Sequence, residues 1–375
     1  MTARDNTTET TRRTVLRTIG GTSGAIATTG LTAQATATEN DDEQVPLVMT
    51  YGKDGKPDET KLVPKEYRRR LMVFKRLSRT YFTDNSVVNK ISITPRSSDV
   101  TDIALEFYID HNAPSEQMEK LPEQINGVPV IFEEGEFERR PKCDPESASC
   151  GCSPVTDSCS DPDNEECRKG QTESDIKANL QVIDEDSFGA STLGVVARDK
   201  DTALKMLLTA NHAENGDYLY QPDSTSSSNK IGGRVNQWPN QDISKYIWEP
   251  NDSNRTATVG GTHASNQSAI SGEWSFEGLA DRLNVQDYHL SVSVAGKETC
   301  YCETEAVQVS RDKRVDKQVE MQNIITESGD SGAPFVDSDG KLVCTLYGTN
   351  CRQYSPLYRD VGPAEVLKTS DCYVL

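Results

Sequence analysis

The stretch Glu327-Ser328-Gly329-Asp330-Ser331-Gly332-Ala333-Pro334, continued by Phe335-Val336-Asp337, decides how this chain is read. A serine hydroxyl is a poor nucleophile on its own. It needs a base to take its proton and donors to hold the negative charge that develops on its target. Glycine at 329 permits a tight turn that aims backbone N–H groups inward, and glycine at 332 lets another backbone approach closely. A Gly/Ser/Asp cluster is also what an ordinary turn looks like. The apolar run directly after it, and a second one over 341–346, put this turn between strands.

Upstream, Leu207-Leu208-Thr209-Ala210-Asn211-His212 is an apolar run that ends in a histidine. The chain has four histidines, His111, His212, His263 and His289, and a lone histidine is ordinarily a surface or satisfied core residue. His212 is singled out because it stands where a strand gives way to a polar loop, the place for an exposed base. Asp242 opens another apolar run, Asp242-Ile243-Ser244-Lys245-Tyr246-Ile247-Trp248, 30 residues after the histidine and 89 before the serine. An acid entering an apolar strand can be buried against an imidazole, where it holds the tautomer and stabilises the imidazolium. Asp217, Asp223 and Asp252 are rivals, but none opens such a run, and any one aspartate of so acidic a chain is by default a solvated charge.

With these three elements the chain resembles the chymotrypsin superfamily of serine peptidases, most nearly its prokaryotic trypsin-like branch. The order His–Asp–Ser and the flanks T-A-N-H, D-I-S-K-Y-I and G-D-S-G-A-P-F-V carry the resemblance. Val294-Ala295-Gly296-Lys297-Glu298-Thr299 resembles, in degraded form, the K-x-G-R-T-T-G strand turn of that branch. The likeness spans residues 175–375 and none of the first 140. It implies a mainly β fold of two antiparallel β-barrels, with His212 and Asp242 on the first, Ser331 on the second and the site in the cleft between them. It also implies a serine-type endopeptidase acting on protein or peptide substrates through an acyl-enzyme. Ser331 would be the nucleophile, His212 the base and then the acid, Asp242 its orienter, and the N–H groups of Gly329 and Ser331 the oxyanion hole. No cofactor or metal is implied.

Departures from the family pattern shape these expectations. Asn211 stands where animal members have Ala or Gly, and no Cys follows His212. No I-V-G-G-like sequence opens the domain, so Asp330 has no new N-terminus to pair with and must find another partner. The residue six before the serine is Ile325 rather than an aspartate. That argues for an apolar substrate pocket with Leu346, Tyr347 and Gly348 as its wall, complicated by Glu327 if its carboxylate faces inward. Two other readings stand beside this one. A catalytically silent extracellular binding module is usually marked by a replaced triad member, and an esterase would carry a G-x-S-x-G elbow, which is missing here.

The 375 residues carry a net charge of −19 with 34% hydrophobic residues. So acidic a surface repels nucleic acid and stays hydrated in concentrated salt, which points to a salt-loving source; an ordinary acidic secreted protein is the alternative. Residues 1–37 read as a twin-arginine export signal. Arg12-Arg13 opens it, a weakly apolar stretch over 18–31 comes next, and Ala33-Gln34-Ala35 and Ala35-Thr36-Ala37 offer cleavage sites. Secretion to the cell exterior is the consequence, and no later segment has the length of apolar sequence that a membrane span requires.

Residues 38–140 read as a small α+β domain and candidate prosegment in the order α-β-β-α-β: a helix over 64–82, strands over 87–94 and 103–109, a helix over 114–121 and a strand over 128–132. Eight basic residues against Glu66 lie over 61–82, either as a solvated face or as a face that docks, within the same chain, on the acidic domain downstream. Residues 141–175 read as a Cys-rich linker, where five of the ten cysteines stand among Pro, Ser, Asp and Glu. Outside the cell, disulfides are favoured there over zinc. Residues 176–375 are the peptidase domain, a succession of short strand-like runs. Glycosylation sequons begin at Asn251, Asn254 and Asn266, either in use on a surface loop or by chance in an Asn/Ser-rich segment.

Overall fold

A computed structural model describes residues 43–82, 87–110, 113–135, 171–185, 190–214, 216–312, 315–323, 325–327, 329–350 and 359–375. The export signal and most of the Cys-rich linker lie outside the described residues. The chain begins with a hairpin of β1 (Gln44–Tyr51) and β2 (Pro57–Pro64) that runs straight into helix α1 (Lys65–Lys75). It continues through β3 (Val88–Pro95), β4 (Ile103–Asp110), α2 (Ser115–Met118), β5 (Gln124–Ile125) and β6 (Val128–Gly135). The middle group is β7 (Asp175–Ala178), β8 (Gln181–Asp184), β9 (Ser191–Thr192), β10 (Val195–Asp199), β11 (Lys205–Ala210), β12 (Tyr218–Tyr220), β13 (Lys230–Trp238), β14 (Ile243–Trp248) and β15 (Thr256–Thr262). The last group is β16 (Gly272–Trp274), α3 (Phe276–Leu279), β17 (Leu290–Gly296), β18 (Cys300–Asp312), β19 (Gln318–Met321), β20 (Pro334–Asp337), β21 (Lys341–Thr345), β22 (Gly348–Asn350), β23 (Arg359–Pro363), α4 (Val366–Thr369) and β24 (Cys372–Tyr373). No described helix is long and apolar enough to cross a membrane.

The fold is mainly β. One sheet runs β24-β10-β11-β14-β13-β12-β8-β9. A larger one runs β2-β1-β16-β21-β20-β17-β18-β3-β4-β6-β5, with β19, β23 and β22 branching from β18. These are the two sheets from which the two expected barrels would be built. In β11 the run Met206-Leu207-Leu208 is apolar at successive positions because both faces of its sheet are covered. Leu207 packs with Val196 and Tyr246 on one side; Met206 and Leu208 pack with Val195 and Ile243 on the other. Val336, Leu342 and Val366 of the last group join that second cluster, so it is the seam between the sheets.

The first segment departs from expectation. The described residues 43–135 lie in one compact unit with the described residues that follow them. β1 pairs with β16, and β3 pairs with the end of β18, covering backbone edges that would otherwise be left open. Helix α1 buries Tyr67, Leu71 and Phe74, an i, i+4, i+7 stripe, and the Phe74 ring stacks on Phe276 at 5.2 Å. Such a phenylalanine contributes about 2–3 kcal/mol by burial. The hairpin β1–β2 is not among the expected elements, because Pro46, Gly52, Gly55 and Pro57 interrupt the alternation that marks a strand. Of the basic residues over 61–82, Lys75 lies 2.6 Å from both Glu277 and Glu365, and Lys61 lies 3.0 Å from Asp281. Arg69 and Arg70 turn instead to Glu66, and Arg70 also to Asp102, within their own segment.

Two of the five cysteines outside the linker are unpaired. Cys344 and Cys372 are free thiols buried in the core. Burial raises the pKa of each and keeps it protonated and unreactive.

Candidate active site

The register of two neighbouring strands builds the base. β11 and β14 pair with Ala210 opposite Ile243, so the chain leaving β11 at His212 meets the chain entering β14 at Asp242. Asn211 N–H donates to the Asp242 carbonyl at 3.2 Å. Asp242 has φ +51°, a left-handed conformation that aspartate tolerates better than most residues. Its carboxylate is 3% exposed. One oxygen accepts the His212 backbone N–H at 2.8 Å and the other faces His212 Nδ1 at 2.9 Å. An ionised carboxylate only accepts, so Nδ1 carries the proton and Nε2 is left as an acceptor. Ser331 Oγ lies 2.9 Å from that Nε2. Burial raises the Asp242 pKa while the His212 and Asn211 donors pull it down. The Tyr347 ring meets the imidazole edge-on at 5.0 Å, and Ser244 Oγ donates to Asn211 Oδ1 at 3.1 Å.

Ser331 comes from the larger sheet, three residues before β20. The partner that Asp330 lacked in the sequence is the turn 296–299 together with Glu327. Asp330 is fully buried. It accepts N–H groups from Glu298 at 2.8 Å, Thr299 at 3.3 Å and Glu327 at 2.9 Å, and the Thr299 hydroxyl. Burial raises its pKa against the pull of these donors. Gly296 is required here, because a Cβ at that position would stand 2.2 Å from the Asp330 carboxylate. Gly329 has φ +108°. Its N–H and that of Ser331 donate to no described residue, while its carbonyl accepts from Thr192 Oγ1 at 3.2 Å. Thr192 also donates its N–H to the Ser331 carbonyl at 2.9 Å. This residue of the smaller sheet therefore ties the side that carries His212 to the turn that carries Ser331, a contact that no local sequence feature announced.

The four pocket candidates divide. The side chains of Ile325 and Leu346 are 2% exposed and belong to the core cluster under the larger sheet. Tyr347 stands against His212, and Gly348 has open space where a Cβ would be.

No family model matches the chain, and no curated protein matches it. Solved structures do. A protease A from Thermobifida fusca is 16% identical, with a TM-score of 0.37 over 54% of this chain and 98% of that one. A Nocardiopsis protease is 14% identical, with a TM-score of 0.36 over 53% and 98%. A chymotrypsin from Cellulomonas bogoriensis is 10% identical, with a TM-score of 0.38 over 54% and 98%. A likeness of this degree carries no argument about activity; the side-chain geometry around His212 has to carry it.

Proposed function

We propose that this protein is a secreted serine endopeptidase that hydrolyses peptide bonds through His212, Asp242 and Ser331. The observation that supports it most is a single imidazole, 2.9 Å from a buried carboxylate on one nitrogen and 2.9 Å from a serine hydroxyl on the other. Ser331 Oγ attacks the carbonyl carbon of the scissile bond as Nε2 takes its proton. The imidazolium is stabilised by Asp242 and gives the proton to the leaving amine. The negative oxygen of the tetrahedral intermediate lies against the N–H groups of Gly329 and Ser331, each worth about 3–4 kcal/mol to the barrier. Water, activated by His212, then attacks the acyl group on Ser331 and frees the enzyme.

Export by the twin-arginine route, an extracellular location and the closure of the two sheets as barrels belong to the same proposal. The core and sheet shared by residues 43–135 with the rest of the chain support a folding role for the expected prosegment. The test is covalent labelling. An active-site phosphonate should modify the wild type in concentrated salt and leave Ser331→Ala untouched. A folded wild type that resists labelling would instead be a silent binding module.

A further inference from the structure

We propose that Lys297 is a positioning residue for the oxyanion hole, holding Gly329 so that its N–H stays turned toward the carbonyl under attack. This deepens the peptidase reading and rests on it. A glycine turns its peptide planes at little cost, since no Cβ restricts them. Gly329 has φ +108°, and among the described residues no backbone acceptor holds its N–H. What limits the turn there is contact. A Cβ at 329 would fall inside contact distance of Lys297 Cε and stand 2.8 Å from Nζ, so the end of that side chain lies against the Gly329 main chain. The same lysine reaches the far side of the glycine through its own backbone. Its N–H donates to Thr192 Oγ1 at 3.1 Å, and that hydroxyl donates to the Gly329 carbonyl at 3.2 Å. One residue thus bears on both the α-carbon and the carbonyl of the glycine whose N–H is to meet the oxyanion.

The side chain is held in that place by its neighbour. Lys297 Nζ lies 2.7 Å from Glu298 Oε1, with the two side chains 9% and 19% exposed. Glu298 is fixed in turn, because its N–H donates to Asp330 Oδ1 at 2.8 Å, and its Cγ would stand 3.3 Å from the same Cβ at 329. A salt bridge this far out of water adds little net stability, since desolvating both charges offsets their attraction. What it supplies is a fixed position, because each charge loses its close partner if the lysine swings away. Salt screens such a pair weakly, so the hold persists in concentrated salt. In the K-x-G-R-T-T-G motif that this turn resembles, a threonine stands where this chain has Glu298, so the ion pair belongs to this chain rather than to the motif.

Peptide hydrolysis by the full chain, with melting followed by circular dichroism, tests this. Lys297→Ala removes both stem and charge. It should lower kcat by about 100-fold with KM within about threefold, the scale of a displaced oxyanion donor. Lys297→Arg keeps a stem over Gly329 and a cation for Glu298, and should stay within about threefold of wild type in both constants. A peptidyl trifluoromethyl ketone, whose adduct with Ser331 sets an oxyanion against the Gly329 N–H, should bind Lys297→Ala about 100-fold more weakly than wild type and Lys297→Arg equally well. The melting midpoint should move by no more than about 4 °C in either variant. Should Lys297→Ala not fold, Lys297→Met takes its place; it keeps the stem without the hold of Glu298 and should lose about tenfold in kcat. A folded alanine or methionine variant with wild-type kcat, a loss confined to KM, or an arginine variant that falls as far as alanine overturns this proposal and leaves the peptidase reading standing. Wild type that neither cleaves peptides nor takes the phosphonate on Ser331 removes the peptidase reading, and this one with it.

Discussion

Replacing Asp330 perturbs the nucleophile turn without touching any of the three side chains proposed to do the chemistry. Its carboxylate satisfies three backbone N–H groups and one hydroxyl in a fully buried space. Alanine orphans all four donors. At about 1–3 kcal/mol for each buried donor left unpaired, and with water refilling part of the gap, the loss is about 4–8 kcal/mol. That is comparable with the whole stability of a typical domain, about 5–15 kcal/mol, so Asp330→Ala is expected to fail to accumulate. Asparagine keeps the volume and one acceptor but turns an N–H₂ toward N–H donors, for a cost of about 2–4 kcal/mol. Denaturant melts followed by circular dichroism in concentrated salt measure that cost. The rate of phosphonate labelling at Ser331 reports the turn itself, because a shifted Gly329 N–H no longer meets the oxyanion. A fall of about 100-fold is expected in the folded variant. Asp330→Asn that labels at the wild-type rate with an unmoved melting midpoint would refute the account of Asp330 as the anchor of this turn.

Phe74→Ala should cost about 3–5 kcal/mol and lower one shared melting transition, because Phe74 stacks on Phe276 across the first and last groups of strands; a separate, lower transition confined to residues 43–135 would contradict the shared core. Glu214 is fully buried, and burial first, opposed by the Ser191 hydroxyl and the Asp184 and Ser191 backbone donors and aided by the Asp184 charge, pushes it from 4.5 up to about 8. An acid raised in this way keeps in the folded state a proton that the unfolded chain has lost, so stability falls as pH climbs from about 4.5 to 8. Glu214→Gln, isosteric with the protonated acid, should lie within about 1 kcal/mol of wild type near pH 5 and exceed it by about 4–5 kcal/mol at pH 9; parallel melting curves across that range would count against it.

The chemistry of the candidate site was legible because each of its three side chains sits at a boundary written locally. His212 closes an apolar run, Asp242 opens one, and Ser331 lies between two glycines ahead of another. Strand positions came from the same signal: the sequence places strands over 87–94 and 103–109, and they form as Val88–Pro95 and Ile103–Asp110. Other elements shrank or split. The helix foreseen over 64–82 ends at Lys75 and gives way to a single 3₁₀ turn at Arg79–Phe82. The run over 192–197 breaks at Leu193-Gly194 into β9 and β10.

What the chain determined by itself was therefore the order of strands and the three polar groups at their ends, since alternation and strand termini depend on neighbours a few residues away. The tertiary structure alone decided that Thr192 braces Gly329, that Thr299 and two turns hold Asp330, and that the first segment completes the core. Each of those contacts, the local one between Glu327 and Asp330 apart, joins residues tens to hundreds of positions apart. It exists only once several strand registers have been added together, and no residue in such a pair carries a mark of its partner.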